Sequence, residues 1–377
     1  MSRRVTGAAA RLACAGLACA GLIAGCGSHP ARVAGTGPPL AAPLSTSLVT
    51  AQGRWAIAVM GGPDAGNKFW QLFFRPVTGG HWSLVTPQGV ADNGGLVAAG
   101  GGAYLVVGFR PSQNLAFSPL ATSTDTGRNW TPGLLDAGLA DTPGAIAVGP
   151  SGRTLALLQD STVEAAPTAG AAAAGRWVPL TTLKALAASA PGRACGLEGV
   201  TAVSFGPNGN PMAAGSCARP GPAGVFTHAD GTWRSAGLVL PAGGRARVLG
   251  LTAIAGGNEA LLAAGTSLFA AWWNGTHWTV SAPVTADGVR ALGFGPDGGA
   301  WLLPGRGRPE AVAGAASSTW RPLPPVPPGT GTLAPGAGGS FDALAVAGSR
   351  LTVWRLGRGA WARVQQVTVP VQVGSSG

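Results

Sequence analysis

Carboxylates, one tyrosine and paired arginines are the residues here that could do chemistry on a sugar or an oxyanion. Tyr104 is the single tyrosine, and Glu164, Glu198, Glu259 and Glu310 are the four glutamates. A retaining glycosidase of the two-carboxylate kind needs its acid/base and its nucleophile about 5 Å apart. So sparse a set of acids argues against that chemistry. No G-x-S-x-G elbow is present for serine hydrolysis. His81 and His277 each directly precede a tryptophan, His228 lies in a similar turn, and no C-x-x-C occurs, so no metal site is expected. "GTGTLA" at 329 imitates a dinucleotide loop, but Pro335 follows where a helix would have to start, and no cofactor is expected. Binding is what remains. Arg245 and Arg247 in "GGRARV", with Arg306 and Arg308 in "GRGRPE", are guanidinium pairs in loop-like settings suited to phosphate or carboxylate, and are the possible ligand contacts.

The elements that must position these residues show as a repeat. Seven tryptophans follow a Gly or polar turn and precede a short β-type run: Trp82, Trp130, Trp177, Trp233, Trp278, Trp320 and Trp361, spaced by 48, 47, 56, 45, 42 and 41 residues. A period in the forties with short apolar runs between turns predicts one propeller blade per repeat, each a small antiparallel sheet that cannot bury both faces alone. "AIAVGPSGRTLALL" at 145, "TAVSFGPNGNPMAAG" at 201 and "RALGFGPDGGAWLLPG" at 290 place G-P-x-G between two apolar runs, a hairpin signal. The expected fold is therefore all-β, a seven-bladed β-propeller over residues 51–373 with a tail at 374–377. Its first blade, from about Arg54 to Val85, shows three candidate strands, and "VTVPVQV" at 367–373 is expected to supply the fourth, with "LSTSLVT" at 44 as competitor. The longest repeat holds "TTLKALAASAPGRACGLEG", where Leu183 and Leu186 permit one short helix before Pro191. "RPLPPVPPG" at 321 reads as a stiff loop.

Gly 63 and Pro 31 bring the chain near the low-complexity range, yet 46% hydrophobic residues and 13 tryptophans provide for a packed core. "MSRRVTGAAARLACAGLACAGLIAGC" opens with Arg3, Arg4 and Arg11, continues in an apolar run too short to span a bilayer, and ends in small residues before a cysteine. That is the pattern of a secretory signal peptide, residues 1–25. Its end, Ile23-Ala24-Gly25-Cys26, resembles the lipobox of bacterial lipoproteins. The resemblance implies lipidation of Cys26, with two or more acyl chains holding the protein stably to the extracytoplasmic face of the membrane. The Pro/Gly/Ala-rich stretch 26–50 reads as a tether. With Cys14 and Cys19 removed and Cys26 acylated, Cys195 and Cys217 remain; outside the cytosol they suggest one disulfide, two buried free thiols being the alternative. Net charge is +11, and +8 once the three signal-peptide arginines leave. A basic balance outside the cell points to anionic envelope polymers and headgroups as partners, not to nucleic acid.

"STDTGRNW" at 123 fits S-x-D-x-G-x-x-W through Ser123, Asp125, Gly127 and Trp130, and resembles the Asp-box, or BNR repeat, of sialidases and other propellers. "THADGTW" and "WWNGTHW" are degenerate copies. In that family the box is a turn on the outer part of a blade, far from the catalytic mouth, so the resemblance implies a fold and not a reaction. A sialidase would further imply an arginine cluster, a tyrosine nucleophile with a glutamate, and an aspartate acid/base. Here the early Phe-Arg-Ile-Pro motif is met only by "FFRPV", with Pro76 directly after Arg75. The expected function is that of a membrane-anchored, non-enzymatic binding propeller for an envelope protein or anionic glycopolymer. The alternative is a sialidase-like or other glycan hydrolase, which would bring Arg75, Arg110 and another arginine together near Tyr104 and a carboxylate.

Overall fold

The computed structural model describes residues 47–61, 68–88, 94–109, 117–140, 144–241, 244–254, 256–285, 288–295, 298–312, 314 and 317–369. The expected signal peptide, Cys26 and nearly all of the expected tether lie outside them, as does Arg110. Antiparallel meanders fill the chain in order. The first sheet is β1 (Ser47–Val49), β2 (Gly53–Gly61), β3 (Lys68–Pro76) and β4 (Ser83–Leu84); the second is β5 (Gly94–Gly100), β6 (Ala103–Phe109), β7 (Ser118–Ser123) and β8 (Thr131–Leu135). The third comprises β9 (Ile146–Val148), β10 (Thr154–Leu157), β11 (Thr162–Ala166) and β12 (Val178–Thr182). A nine-stranded sheet follows: β13 (Leu197–Phe205), β14 (Pro211–Cys217), β15 (Gly224–Ala229), β16 (Thr232–Ser235), β17 (Arg247–Ile254), β18 (Gly257–Ala264), β19 (Ser267–Trp273), β20 (Trp278–Val280) and β21 (Val284–Thr285). Then come the sheet of β22 (Val289–Phe294), β23 (Ala300–Pro304), β24 (Glu310–Val312) and β25 (Arg321–Pro322), and the last sheet of β26 (Thr330–Pro335), β27 (Phe341–Ala347), β28 (Arg350–Gly357) and β29 (Ala360–Thr368). The fold is an all-β propeller.

Successive sheets stack face to face, so the middle strands must be apolar on both sides, and "TLAL" of β10 and "AWLLP" of β23 are buried throughout. The stack closes on itself, because Ala56, Phe73 and Trp82 of the first sheet pack with Leu344, Leu351 and Val353 of the last. Full burial of each large side chain there contributes about 1.5–3 kcal/mol. Closure departs from expectation: residues 360–368 are the outer strand of the last sheet itself, paired with β28, and do not complete the first. Residues 370–373 lie outside the described set. The competitor segment supplies the missing strand, with Ser47, Leu48 and Val49 opposite Ala56, Trp55 and Arg54. Each sheet is thus one continuous piece of chain, and side-chain packing together with the backbone bridge Gly61–Gly348, rather than a shared strand, seals the ring.

The repeated tryptophan marks the start of the fourth strand; Trp177 donates its indole N–H to the Ala172 carbonyl within its own meander, while four others reach back to the preceding meander. Trp130 donates to the carbonyl of Val85 at 2.8 Å, Trp278 to that of Ala236 at 2.7 Å, Trp361 to that of Pro324 at 3.2 Å, and Trp320 to the Ser281 hydroxyl at 3.1 Å. Each of these four acceptors lies just beyond the end of the preceding meander's outer strand. A buried indole must place its N–H, and here that requirement latches neighbouring sheets together. The G-P-x-G turns join first to second strands as expected, with Gly152, Gly209 and Gly298 at φ +78°, +78° and +73°, where only glycine is unstrained.

α1 (Ala169–Ala173) lies between β11 and β12, and the longest repeat carries α2 (Leu183–Ala188) and α3 (Ala190–Cys195). One helix was expected from Leu183 and Leu186; a second starts at once, because Ser189 caps it and Pro191 sits in its first turn, where a missing N–H costs nothing. Cys195 and Cys217 form a disulfide that ties α3 to β14. Among the described residues no helix is long and apolar enough to cross a membrane.

Candidate functional site

The inner strands enclose a cavity of about 1050 Å³, walled by β1, β5, β9, β13, β17, β22 and the turn after β26. Ala98, Ile146, Val203 and Leu292 make its walls small and apolar, and Thr50, Ser204, Thr252 and Ser340 add hydroxyls. Among the described residues, the charges in the lining are Arg54 and Arg75, and no carboxylate belongs to that lining. A few polar groups converging on an otherwise apolar concavity is the usual form of a ligand site.

The two arginines stand directly opposite each other, Arg54 on β2 and Arg75 on β3. Like charges in that register repel and need a counter-ion. It comes from the other end of the chain, where Asp342 on β27 is paired across the strands with Arg355 on β28. Across the closure Arg75 Nη1 donates to Asp342 Oδ2 at 2.7 Å and Arg54 Nη2 lies 3.3 Å from the same oxygen. Arg355 Nε donates to Oδ1 at 2.8 Å, and Trp82 Nε1 to Oδ2 at 3.0 Å. Here the repeat tryptophan latches onto a carboxylate instead of an exit segment. Arg54 also donates to the Ala334 carbonyl at 3.2 Å, and Arg75 Nε to that of Gly80 at 3.0 Å. Burial alone would push the Asp342 carboxyl up; the hydrogen bonds from Arg355 and Trp82, with the charges of Arg54 and Arg75, hold it below the ordinary carboxylate range. Burial lowers the Arg54 guanidinium, with Asp342 opposing. Three guanidiniums therefore share one fully buried carboxylate, a surplus of positive charge at the cavity.

A second buried acid has no such company. Glu259 on β18 accepts one hydrogen bond, from Trp272 Nε1 at 3.1 Å, while its Oε2 has no partner. Trp272 also donates to the Gly298 carbonyl. Burial pushes the Glu259 carboxyl up to about 8, so it is neutral at pH 7.

The residues singled out from sequence fall elsewhere. Arg245 and Arg247 flank the start of β17, and Arg306 and Arg308 occupy the exposed turn between β23 and β24. By strand direction both pairs sit at the end of the ring opposite the first-to-second-strand turns, away from Arg54 and Arg75. Arg247 Nε is buried without a partner, and burial lowers that guanidinium. Tyr104 is buried against Trp55, with ring centroids 4.8 Å apart, and bonds to none of the arginines around Asp342. The octet builds the turn from β7 to β8: Gly127 N–H donates to Ser123 Oγ at 3.0 Å, and Asn129 N–H to Asp125 Oδ1 at 2.9 Å. That bond, a second from the Asn129 side-chain amide to Asp125 Oδ2 and one from the Ser123 hydroxyl to Oδ1 hold Asp125 down at about 2. Trp130 packs edge-on to Trp55. Among the described residues no group of three or more His, Cys, Asp or Glu could hold a metal ion.

Arg54, Asp342 and Arg355 escaped the sequence reading. A signal was present: Asp342 in "FDALAV" and Glu259 in "NEALLAAG" are lone acids inside apolar strand runs, where an unpaired charge is costly.

No family model matches the chain, and no curated protein does. Among solved structures it is similar to a candidate 6-phosphogluconolactonase from Bacteroides fragilis, at 11% identity and TM-score 0.52, covering 86% of this chain and 97% of that one. A second, from Bacteroides uniformis, matches at 13% identity and TM-score 0.50 over 85% and 98%. YCF48 from Cyanidioschyzon merolae aligns at 19% identity and TM-score 0.45 over 89% and 98%. At such identities the first two speak for the fold alone.

Proposed function

We propose that this chain is a lipid-anchored, extracytoplasmic propeller of seven blades that binds an envelope protein or an anionic envelope polymer without transforming it. The observation that carries the reading is the cavity whose charges are Arg54 and Arg75, with no carboxylate in the lining among the described residues. Such a site attracts an oxyanion and offers no acid/base pair to act on it. A glycan hydrolase would need a carboxylate free to attack or to exchange a proton; Asp342 is fully buried and saturated by Arg54, Arg75, Arg355 and Trp82. Support for seven blades comes from the nine-stranded sheet, whose two four-strand meanders are joined in the strand ladder by the one pair Ser216–Arg247. Membrane attachment rests on the segment ending at Cys26, and the octet's turn is consistent with an Asp-box.

The test is a pull-down from the cell envelope with the mature domain at low and high salt. Retention of a defined protein at high salt, or of anionic polymer released as salt rises, is the expected result. Retention of neither overturns the reading.

A further inference from the structure

We infer that the seam between the first and last sheets is a binding site for a linear polyanion, with successive oxyanion groups engaging Arg54 and Arg75 within the cavity and Arg355 and Arg321 outside it. The inference rests on the binding-module reading above and names its site and ligand class. Its basis is a run of guanidiniums that the ring closure assembles from distant parts of the chain. Arg54 and Arg75 line the cavity. Arg355 contacts the same Asp342 from the outer side, its side chain 37% exposed. Arg321, exposed on β25 of the neighbouring sheet, brings its Nη2 to 3.1 Å from where a Cβ on Gly339 would lie, in the turn just before Asp342. Three guanidiniums thus contact one carboxylate and a fourth reaches the turn just before it, and Arg321 has no ion pair of its own among the described residues.

The wider charge distribution agrees. Residues 289–369 carry eight arginines against Asp297, Glu310 and Asp342, whereas residues 121–200 carry five basic and six acidic residues. Basic charge is therefore not spread evenly along the chain, and of these arginines Arg355 and Arg321 lie by the seam while Arg306 and Arg308 lie at the opposite end. A single small anion would satisfy only the inner pair. A chain of oxyanions can continue from the cavity over Arg355 to Arg321, each guanidinium offering a planar fork to one group. Asp342 holds the inner arginines apart and aligned in the absence of ligand.

The first probe is tripolyphosphate, with orthophosphate as the single-group comparison and trigalacturonate as the carboxylate counterpart. Binding is followed by calorimetry and by the fluorescence of Trp82, which donates to Asp342 and lies 5.9 Å from the Arg54 guanidinium. Tripolyphosphate is expected to bind at least tenfold tighter than orthophosphate, and the exposed double variant Arg321→Gln/Arg355→Gln to lose at least tenfold. Arg306→Gln/Arg308→Gln removes equal charge from the opposite end and is expected to leave affinity unchanged. Trigalacturonate binding as tightly assigns the site to carboxylate polymers; preference for tripolyphosphate assigns it to phosphate polymers. Equal affinity for tripolyphosphate and orthophosphate, or equal losses from both double variants, overturns the inference. If neither charged oligomer binds while the envelope pull-down still retains a partner, this site alone is wrong; if the pull-down also fails, so is the binding-module reading.

Discussion

Two buried acids occupy matching places in the ring and meet opposite fates. Asp342 and Glu259 each sit near the start of a second strand, and each faces a third-strand partner across the ladder, Arg355 for Asp342 and Trp272 for Glu259. Both take part in the packing against the sheet that follows. Beside Asp342 that sheet offers Arg54, Arg75 and Trp82, so the acid is ionised and bonded on both oxygens. Beside Glu259 it offers a glycine carbonyl, already shared with Trp272, and the acid keeps its proton. Burial is the same in both; the supply of donors decides the charge. The lesson is that an acid in a sheet interface is a seam-maker only where the neighbouring sheet was built to receive it.

Removing one partner should show that difference first. Asp342→Ala leaves three guanidiniums facing each other without a counter-ion, and is expected to cost about 3–5 kcal/mol in urea unfolding. Because its folded value is depressed below 3.8, the Asp342 contribution is present above about pH 4 and is lost as pH falls through the folded value. A loss under 1 kcal/mol would mean that the seam is held by apolar packing alone.

Glu259 should respond to pH in the opposite sense. Its value is raised from 4.5 to about 8, so its contribution is fully present below about pH 4.5 and is lost as pH rises through 8. Unfolding free energy is expected to fall by roughly 3 kcal/mol between pH 5 and pH 8 on this group's account. Glu259→Gln should flatten that slope in a series of melts. An unchanged slope would place the titrating group elsewhere.

The smallest effect should come from the exposed pair of Arg234 and Asp230, 3.2 Å apart in the β15–β16 hairpin. Arg234→Gln is expected to change stability by less than about 0.5 kcal/mol, since water screens such a pair. A larger change would mean that exposure to water does not weaken this ion pair relative to the buried one at Asp342.

Much of this architecture was legible from local pattern. The tryptophans mark the outer strands, the G-P-x-G turns mark the inner hairpins, and the last two cysteines pair, because each depends on residues near one another in the chain or on simple elimination. Closure was harder, since Ser47–Val49 is a strand of three residues and "VTVPVQV" has equally good β character. Of the arginine pairs expected in loops, Arg306 and Arg308 occupy one while Arg247 opens strand β17, and both pairs lie at the other end of the ring.

What the sequence by itself determined is the repeat, the strand-and-turn rhythm within it and the composition of the cores, all set by short-range periodicity and turn chemistry. What only the tertiary structure decided is who meets whom across the closure. Arg75 and Asp342 are 267 residues apart, and they face each other because the last sheet stacks on the first. The cavity's charge follows from that stacking, and no local pattern of residue types encodes it.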